Sequence, residues 1–236
     1  MVHNFYMANN NSLGIKPLSI TWSIGIEEQF YLFFPTVVIL LKKWGLVIIL
    51  LTAIIAAPVL RYQYKDWIPA YVLLQCRMDS ISFGALIAFA SYYFNLKSII
   101  HKYFWLLVII MIGDILACLF LYSIYGDLGA VRHSLIAIFF SGILLIALTK
   151  QTLFSAVLTN KTLIWFGNIS YSLYLFHYLI LGIFHYISGK QGISIMNEKD
   201  IIVSFLALST SLLFSYLVYK FWEKPAVTWG RKTAYT

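Results

Sequence analysis

Two adjacent carboxylates, Glu27 and Glu28, lie near the start of an apolar run in the stretch TWSIGIEEQFYLFFP at 21 to 35. Only 11% of the residues of the chain are charged. A charged side chain near the bilayer centre costs about 2.5 to 3.5 kcal/mol on insertion scales, so an acid inside an apolar helix is a candidate functional group. Glu27 shares a helix face with Tyr31, whereas Glu28 is rotated about 100° away from it.

These acids have a second interpretation. If Thr21 or Ser23 caps a helix, carboxylates in its first turn would only complement the helix dipole at the membrane interface. The residue types leave both interpretations open.

A second pair, Arg77 and Asp79, lies in QCRMDSISFGALIAF. Residues two positions apart lie about 200° apart around a helix, so these two side chains cannot neutralise each other. If both are inside the membrane, each needs a partner on another helix or in a water-filled cavity, which favours a site. The alternative is that the segment from Tyr71 to Asp79 lies in the interface and the span begins at Ser80.

A later apolar block, LIWFGNISYSLYLFHYLILGIFHYI, contains His177 and His185. His177 is fourteen residues from Leu163, which is about 21 Å along a helix and past the middle of a core roughly 30 Å thick. A histidine there could be a catalyst or a packing residue that is hydrogen-bonded, and His185, nearer the end, fits packing better. Glu223 in FWEKPAVTW has a similar ambiguity, because an aromatic residue and a lysine before Pro225 are also an ordinary end of a span.

The polar groups could meet. With the N-terminus outside, Glu27, Glu28, Arg77, Asp79 and His177 would all lie toward the outer half of the membrane. An acid, a cation and a histidine in a dry site are the parts that general acid-base catalysis and oxyanion stabilisation require. These groups could therefore share one cavity, but the sequence does not show that they meet.

The elements that must position them are membrane helices. The chain has 236 residues, 61% of them hydrophobic, against roughly 45 to 50% in soluble domains. The apolar blocks are about 18 to 25 residues long, as helical spans require. We predict an all-α integral membrane protein with about seven transmembrane helices, at about 24–41, 44–60, 70–94, 104–125, 131–149, 163–187 and 200–222.

Lysines and arginines are concentrated at the ends of these blocks. Their excess on the side of the C-terminus predicts a cytoplasmic C-terminus and an external N-terminus. The segment 1–18 is then a polar extracytoplasmic tail without a cleavable signal, and 229–236 is a cytoplasmic tail. The net charge of +8 reflects this topology and does not indicate nucleic acid as a partner.

Cys76 and Cys118 fall inside apolar blocks without the spacing of metal ligands. This pattern gives no support to a disulfide framework or a metal site. We predict two buried packing residues.

Four segments, in order, resemble the acyltransferase 3 family of membrane O-acyltransferases. TWSIGIEEQFYLFFP is similar to the family signature W-S-x-x-x-E-E-Q-F-Y, and the others are RMDSISFGALIA at 77 to 88, FGNISYSLYLFHYLI at 166 to 180 and FWEKP at 221 to 225. The resemblance covers the region from about Ser19 to Thr228, so 19–228 is expected to be a partial domain of this family.

The resemblance implies that an acyl group, commonly acetyl from acetyl-CoA, passes to a hydroxyl of a cell-surface or exported glycan or glycolipid in the bacterial inner membrane. No bound cofactor is expected. The residues at motif positions are Glu27, Glu28, Gln29, Tyr31, Arg77, Asp79, Tyr174, His177 and Glu223. Of these, Glu27, Glu28, Arg77, Asp79 and His177 are expected to support catalysis, and Gln29, Tyr31, Tyr174 and Glu223 to bind substrate.

The histidine that the family uses for catalysis lies in an earlier span, eleven residues after a basic residue, and this motif is absent here. His3 does not replace it, because no basic residue precedes it. The expectation is a C-terminal seven-span part of a ten-span domain, complemented by a separately encoded N-terminal part or inactive without it. Alternatives are a glycan-precursor transporter or another non-catalytic membrane component, and the remnant of a frameshifted gene.

Overall fold

The computed structural model describes residues 2–64, 66–149, 153–189 and 197–233. These residues form α-helices joined by short turns, and no strand occurs among them. The α-helices are α1 (His3–Asn9), α2 (Trp22–Leu40), α3 (Lys43–Gln63), α4 (Trp67–Val72), α5 (Met78–Tyr93), α6 (Leu96–Lys102), α7 (Phe104–Tyr125), α8 (Arg132–Thr149), α9 (Leu153–Leu158), α10 (Lys161–Ile187), α11 (Glu198–Val218) and α12 (Lys224–Thr233). Three 3₁₀ turns, Lys16–Thr21, Leu74–Cys76 and Gly129–Val131, and a π-helical turn, Tyr219–Glu223, complete the described elements. The all-α prediction is confirmed.

Five helical segments are long and apolar enough to cross a membrane. They are Leu18–Leu40, Lys43–Gln63, Phe104–Tyr125, Gly129–Leu148 and Glu198–Lys232. The pair α5 and α6 could form a sixth span, although its two parts are bent by 107°. The predicted count of seven is not confirmed. The difference is α10, which has 27 residues but carries several serine, asparagine and histidine side chains that reduce its apolar content.

The surfaces of these helices require an apolar solvent. Asp114 is the one residue of α7 that is buried, and Ile109, Leu116 and Phe120 are each more than half exposed. Contiguous apolar faces of this size are rare on soluble proteins. The side chains therefore face lipid, and the helix backbone satisfies its own polar groups, as the bilayer core demands.

The predicted third span at 70–94 is interrupted. Its N-terminal part is the short helix α4 followed by the turn Leu74–Cys76, and α5 begins only at Met78. The break falls inside the segment from Tyr71 to Asp79 that the alternative assigns to the interface, although α5 begins at Met78 and not at Ser80. The break matters for function because it places Arg77 on a non-helical junction (φ −125°, ψ −1°) and not on a helix face.

The chain divides into two compact units, and unit 1 comprises residues 1–14 and 21–158. In unit 1, α3 packs against α5, and α8 packs against both α5 and α7. The segment predicted as a polar tail contains α1, which packs against α4 and α2. Met7 of α1 is fully buried in a cluster with Ile68, Val72, Leu73 and Cys76. Cys76 is thus a buried packing residue as predicted, whereas Cys118 on the lipid-exposed helix α7 is only half-buried.

Unit 2 comprises residues 15–20 and 159–236, and its main contact is between α10 and α11. His185 is buried there and contacts the Ser204 hydroxyl through Nε2 at 3.1 Å, which agrees with the packing interpretation. Asn197 caps α11 by a reciprocal pair of 3.1 Å hydrogen bonds with Asp200.

The last helix continues further than predicted. We expected Pro225 to end it, but α12 runs to Thr233. The helix is continuous from Glu198 to Lys232, and the π-helical turn Tyr219–Glu223 lies directly before α12. Pro225 therefore lies where the regular α-helical hydrogen-bond pattern is already interrupted.

Candidate functional site

Arg61 and Asp79 form an ion pair in the interior of unit 1. The guanidinium of Arg61, near the end of α3, donates to both carboxylate oxygens of Asp79, in the first turn of α5, at 3.1 Å and 2.7 Å. Arg61 is 5% exposed and Asp79 is fully buried. A bidentate pair of this kind is both strong and geometrically specific.

Every N–H of Arg61 has a partner. Besides its two bonds to Asp79, it donates to the carbonyl oxygens of Ala130 at 2.6 Å and Cys76 at 2.5 Å, and to the Ser134 hydroxyl at 2.7 Å. Because a guanidinium carries five N–H donors, its capacity is used in full. Ser134 in turn donates to Asp79 Oδ2 at 2.6 Å, which closes a ring of three side chains.

This network connects α3, α5 and α8 with the two turns that carry Cys76 and Ala130. The predicted span 44–60 ends just before Arg61, whereas α3 continues to Gln63 and Arg61 is buried in its last turn. Asp79 was expected to need a partner on another helix, and Arg61 is that partner.

Arg77 has a different environment, formed by aromatic rings. Its Cζ lies 5.1 Å from the ring centroid of Trp22 and 4.6 Å from that of Tyr71. Its Nε donates to the Tyr71 carbonyl oxygen at 2.9 Å. Trp22 and Tyr71 also contact each other, with ring centroids 4.5 Å apart. Aromatic faces attract a cation without forming hydrogen bonds to it.

The N–H groups on the two terminal nitrogens of Arg77 are therefore available to another group. Neither Nη1 nor Nη2 makes a hydrogen bond within the described part of the chain. Burial lowers the pKa of the guanidinium from its usual value, but an arginine remains charged in proteins. Arg77 is a cation that is held by its Nε and by two rings, with its outer donors available.

The side-chain amide of Gln29 is hydrogen-bonded inside the protein. Its Nε2 donates to Asn4 Oδ1 at 2.8 Å, and Asn4 Nδ2 donates to Gln29 Oε1 at 3.3 Å and to the Val72 carbonyl oxygen at 3.2 Å. Asn4 is fully buried and Gln29 is 4% exposed. This amide pair fixes α1 against α2 and α4. Gly25 lies beside this pair, and a Cβ there would be in van der Waals contact with Asn4 Oδ1 at 3.4 Å.

Glu27 and Glu28 are exposed on α2, and the Tyr31 side chain is 69% exposed one turn further on. The interpretation that the two acids complement the dipole in a first helical turn is wrong. The helix begins at Trp22, so its first turn contains no acid, and the dipole effect falls off within one turn. The side chain of Thr21 does not cap the helix.

In unit 2, the imidazole of His177 is oriented by its own helix. Nδ1 lies 2.9 Å from the carbonyl oxygens of Leu173 and Tyr174. A carbonyl only accepts hydrogen bonds, so Nδ1 carries the proton and the neutral ring has its lone pair on Nε2. Nε2 makes no hydrogen bond within the described residues, and the side chain is half-buried.

Two further motif residues of unit 2 make internal hydrogen bonds. The Tyr174 hydroxyl donates to the Ile20 carbonyl oxygen at 2.6 Å. The buried Ser172 hydroxyl donates to Glu223 Oε2 at 2.8 Å, which ties α10 to the π-helical turn. Each hydrogen bond therefore holds α10 against the segment that carries its partner.

The structure brings Arg77 and Asp79 together with Arg61 around the start of α5. Glu27, Glu28, Gln29 and Tyr31 also belong to unit 1, whereas Tyr174, His177 and Glu223 belong to unit 2. The sharing of one cavity by acids, Arg77 and His177 stays a prediction.

Sequence reasoning missed Arg61, Ser134 and Asn4. Nothing in local spacing links residues that are 18 to 73 positions apart. It also passed over Asp114, a buried acid within α7, although an acid in the middle of an apolar block is itself a functional signal.

The exposed apolar helices with a polar interior define a multi-pass α-helical membrane protein. The chain belongs to the acyltransferase 3 family, whose acyltransferase domain profile matches residues 2–220. No solved structure matches the chain at a significant level.

Several curated relatives of the chain come from Staphylococcus aureus. The chain is 29% identical over 240 residues to O-acetyltransferase OatA of strains NCTC 8325 / PS 47 and COL, an alignment that covers 94% of this chain and 38% of each relative. A further protein of strain COL, provisionally named an O-acetyltransferase, is 28% identical over 89% of this chain and 36% of its own length. The chain thus spans little more than a third of the curated relatives it matches.

Proposed function

We propose that this chain is part of a membrane O-acyltransferase that transfers an acetyl group to a hydroxyl of a cell-surface or exported glycan. The observation that supports this most directly is the family match over residues 2–220, together with relatives named O-acetyltransferases. Acetyl-CoA, or another acyl-CoA, is the donor in this proposal.

The reaction sets the roles that residues must fill. The acceptor oxygen forms a bond to the acyl carbon, its proton passes to a base, and the carbon–sulfur bond of the thioester breaks. Coenzyme A leaves as a thiol after it receives a proton. Negative charge develops on the carbonyl oxygen during attack, and preorganised donors at that position accelerate such reactions.

Arg77 is the residue that we assign to this charge. Its Nη donors are available, and it is fixed by two rings and one carbonyl oxygen. Arg61 and Asp79 have no remaining capacity of this kind, since their donors and acceptors are engaged with each other and with Ser134. Their proposed role is to position the junction from which Arg77 projects.

His177 is proposed to hold the acceptor hydroxyl. Its fixed tautomer presents Nε2 as an acceptor, which suits a hydroxyl donor. The family base is expected in a separately encoded or preceding segment, so His177 is a supporting group in this proposal.

The exposed side chains of Glu27, Glu28 and Tyr31 are proposed to contact substrate or a neighbouring part of the complete enzyme. Gln29 is hydrogen-bonded to Asn4 of α1, Tyr174 to the Ile20 carbonyl oxygen and Glu223 to Ser172. These three side chains therefore act on the substrate indirectly, through the segments that they hold. We propose that these three position substrate-binding elements.

The protein is placed in the bacterial inner membrane with its C-terminus in the cytoplasm. The basic residues Lys220, Lys224, Arg231 and Lys232 near the C-terminus support this orientation. A cysteine introduced beside Lys232 should react with a membrane-impermeant maleimide only after the cytoplasmic face is exposed. Reaction in intact spheroplasts would reverse the orientation.

The function is tested by acetyl transfer in membranes. Membranes that contain the chain, alone and together with the product of the DNA upstream of Met1, receive acetyl-CoA labelled in the acetyl group. Label in surface polysaccharide, reduced by Arg77→Gln, supports the proposal. Absence of transfer in both preparations overturns it, and movement of a glycan precursor without acetylation would support the transporter alternative.

A further inference from the structure

A cavity with aromatic walls and several polar residues lies in unit 1, and Tyr71 of its lining contacts Arg77. It has a volume of about 360 Å³, and its lining includes Trp67, Tyr71, Asp127, Arg132 and His133. Small-ligand sites are commonly clefts of about 300 to 1,000 Å³ with aromatic walls and a few polar groups. The cavity is thus large enough for about one or two sugar rings.

Its walls come from the ends of helices and the turns between them. Trp67 begins α4, whereas Arg132 and His133 begin α8. Asp127 lies in the connection after α7, where Gly126 ends the helix with φ +69° and Gly129 has φ +50°. The site is therefore at one end of the helices and not within their apolar middle.

The charges of the cavity are compensated by pairs within the protein. Arg132 forms an ion pair with Asp127 through Nη2, and Arg61, which lines the cavity, forms one with Asp79. Hydrogen bonds from Arg132 and from the Gly129 backbone lower the pKa of Asp127, so this carboxylate is ionised at neutral pH. A cavity with paired charges does not attract an anion strongly, but it offers donors and acceptors to a neutral polar ligand.

The aromatic side chains supply the second element of sugar recognition. The apolar C–H face of a sugar ring packs on an aromatic face, and its hydroxyls need hydrogen bonds around it. Trp67 is 61% exposed, and its ring centroid is 5.7 Å from that of Tyr71. Tyr71 also contacts His133, at 6.0 Å between ring centroids. The three rings therefore contact one another in sequence, at interplanar angles of 59° and 55°, and Asp127 and Arg132 line the same cavity.

We propose that this cavity binds the neutral sugar of the glycan acceptor, with Trp67 as the stacking residue and Asp127 and Arg132 as hydrogen-bonding residues. The identification of the ligand as the acceptor rests on the function proposed above. Tyr71 forms part of the cavity wall, and its ring centroid lies 4.6 Å from Arg77 Cζ. A sugar bound here is one aromatic ring away from the cation assigned to the carbonyl oxygen.

Binding can be measured without acyl transfer. The purified chain in lipid nanodiscs is titrated with chitotriose and maltotriose as neutral probes, and with glucose 1-phosphate and inorganic phosphate as anionic probes. We expect a neutral oligosaccharide to bind, Trp67→Ala to weaken it by about tenfold or more, and Trp67→Phe to retain most of the affinity. Trp105→Ala is the matched control, because Trp105 is 74% exposed on α7, outside the cavity.

The possible failures are distinguishable. The sugar site is overturned if no neutral probe binds, if only phosphate-bearing probes bind, or if Trp67→Ala and Trp105→Ala bind equally well. Equal melting temperatures of the variants ensure that a loss at Trp67 is not unfolding. Acetyl transfer without this binding would leave the proposed function in place, and binding without transfer by any preparation would leave only the sugar site.

Discussion

Asp79 accepts hydrogen bonds from both terminal nitrogens of Arg61, at 3.1 Å and 2.7 Å, across the interface of α5 and α3. Since Asp79 is fully buried, removing one partner leaves an unpaired charge in the interior. We expect Asp79→Ala to reduce the free energy of unfolding by about 3 to 5 kcal/mol. Unfolding in mixed micelles by SDS, followed by circular dichroism, measures this.

The control is the double replacement Arg61→Met with Asp79→Leu, which removes both charges. It should be markedly more stable than Asp79→Ala, because apolar residues can replace a buried ion pair with little loss. If single and double variants are equally destabilised, the pair does not explain the stability of this region.

The sequence predicted the helices, since these follow from composition and a period of 3.6 residues, and the family motifs followed from the resemblance. It also predicted that Arg77 and Asp79 do not pair, although Arg77 lies at a non-helical junction and not on a helix face. It did not predict which groups they contact. Arg61 ends an apolar block as a loop cation would, and only the packing of α3 on α5 shows that it is buried. The break before Met78 was also only one of two alternatives, because the apolar run continues through it.

Arg77 should affect activity more than stability. Arg77→Gln keeps a polar side chain but loses the cation, and we expect acetyl transfer by the complete enzyme to fall by about 10² to 10³. Arg77→Lys should recover little of this, since an ammonium group lacks the planar fork of donors. Transfer of labelled acetyl groups is compared at matched protein levels; a full recovery by lysine would argue for a simple charge requirement.

The amide pair between Asn4 and Gln29 should be essential for the docking of α1. Asn4→Ala leaves the buried Gln29 amide without this partner, and we expect a loss of about 1 to 3 kcal/mol. Asn10→Ala is the matched control, because Asn10 is exposed at the end of the same helix and its side chain donates to the Tyr6 carbonyl oxygen one turn before it. Limited proteolysis before α2 should be faster only in Asn4→Ala; equal rates would mean that the pair does not hold α1.

Cys76 should be protected from alkylation. The residue is fully buried, and burial raises the pKa of its thiol from 9.0 to about 11. A folded-state pKa above the unfolded value favours the neutral thiol, so its contribution to stability is complete below pH 9 and is lost as the pH rises through 11. In a Cys118→Ser background, mass spectrometry should find no adduct with N-ethylmaleimide at pH 8 until the protein is denatured.

The reagent is controlled by adding Ser12→Cys to that background, because Ser12 is exposed. This variant should gain one adduct when folded and two when denatured. An adduct at Cys76 in the folded protein would mean that the core around α1 and α4 opens readily.

The contact between α7 and α8 depends on Gly142, which is buried against Met111. A Cβ at position 142 would lie 2.6 Å from Met111 Sδ and 2.7 Å from its Cγ, both closer than real Cβ atoms approach. We expect Gly142→Ala to destabilise the protein by about 1 to 3 kcal/mol, as overpacking does.

Gly113→Ala on α7 is the matched control, since a Cβ there meets nothing within 4 Å. Adding Met111→Ala to Gly142→Ala should restore stability in the SDS unfolding assay, because it removes the two atoms that clash. If the added change gives no recovery, the cost of Gly142→Ala does not come from this contact.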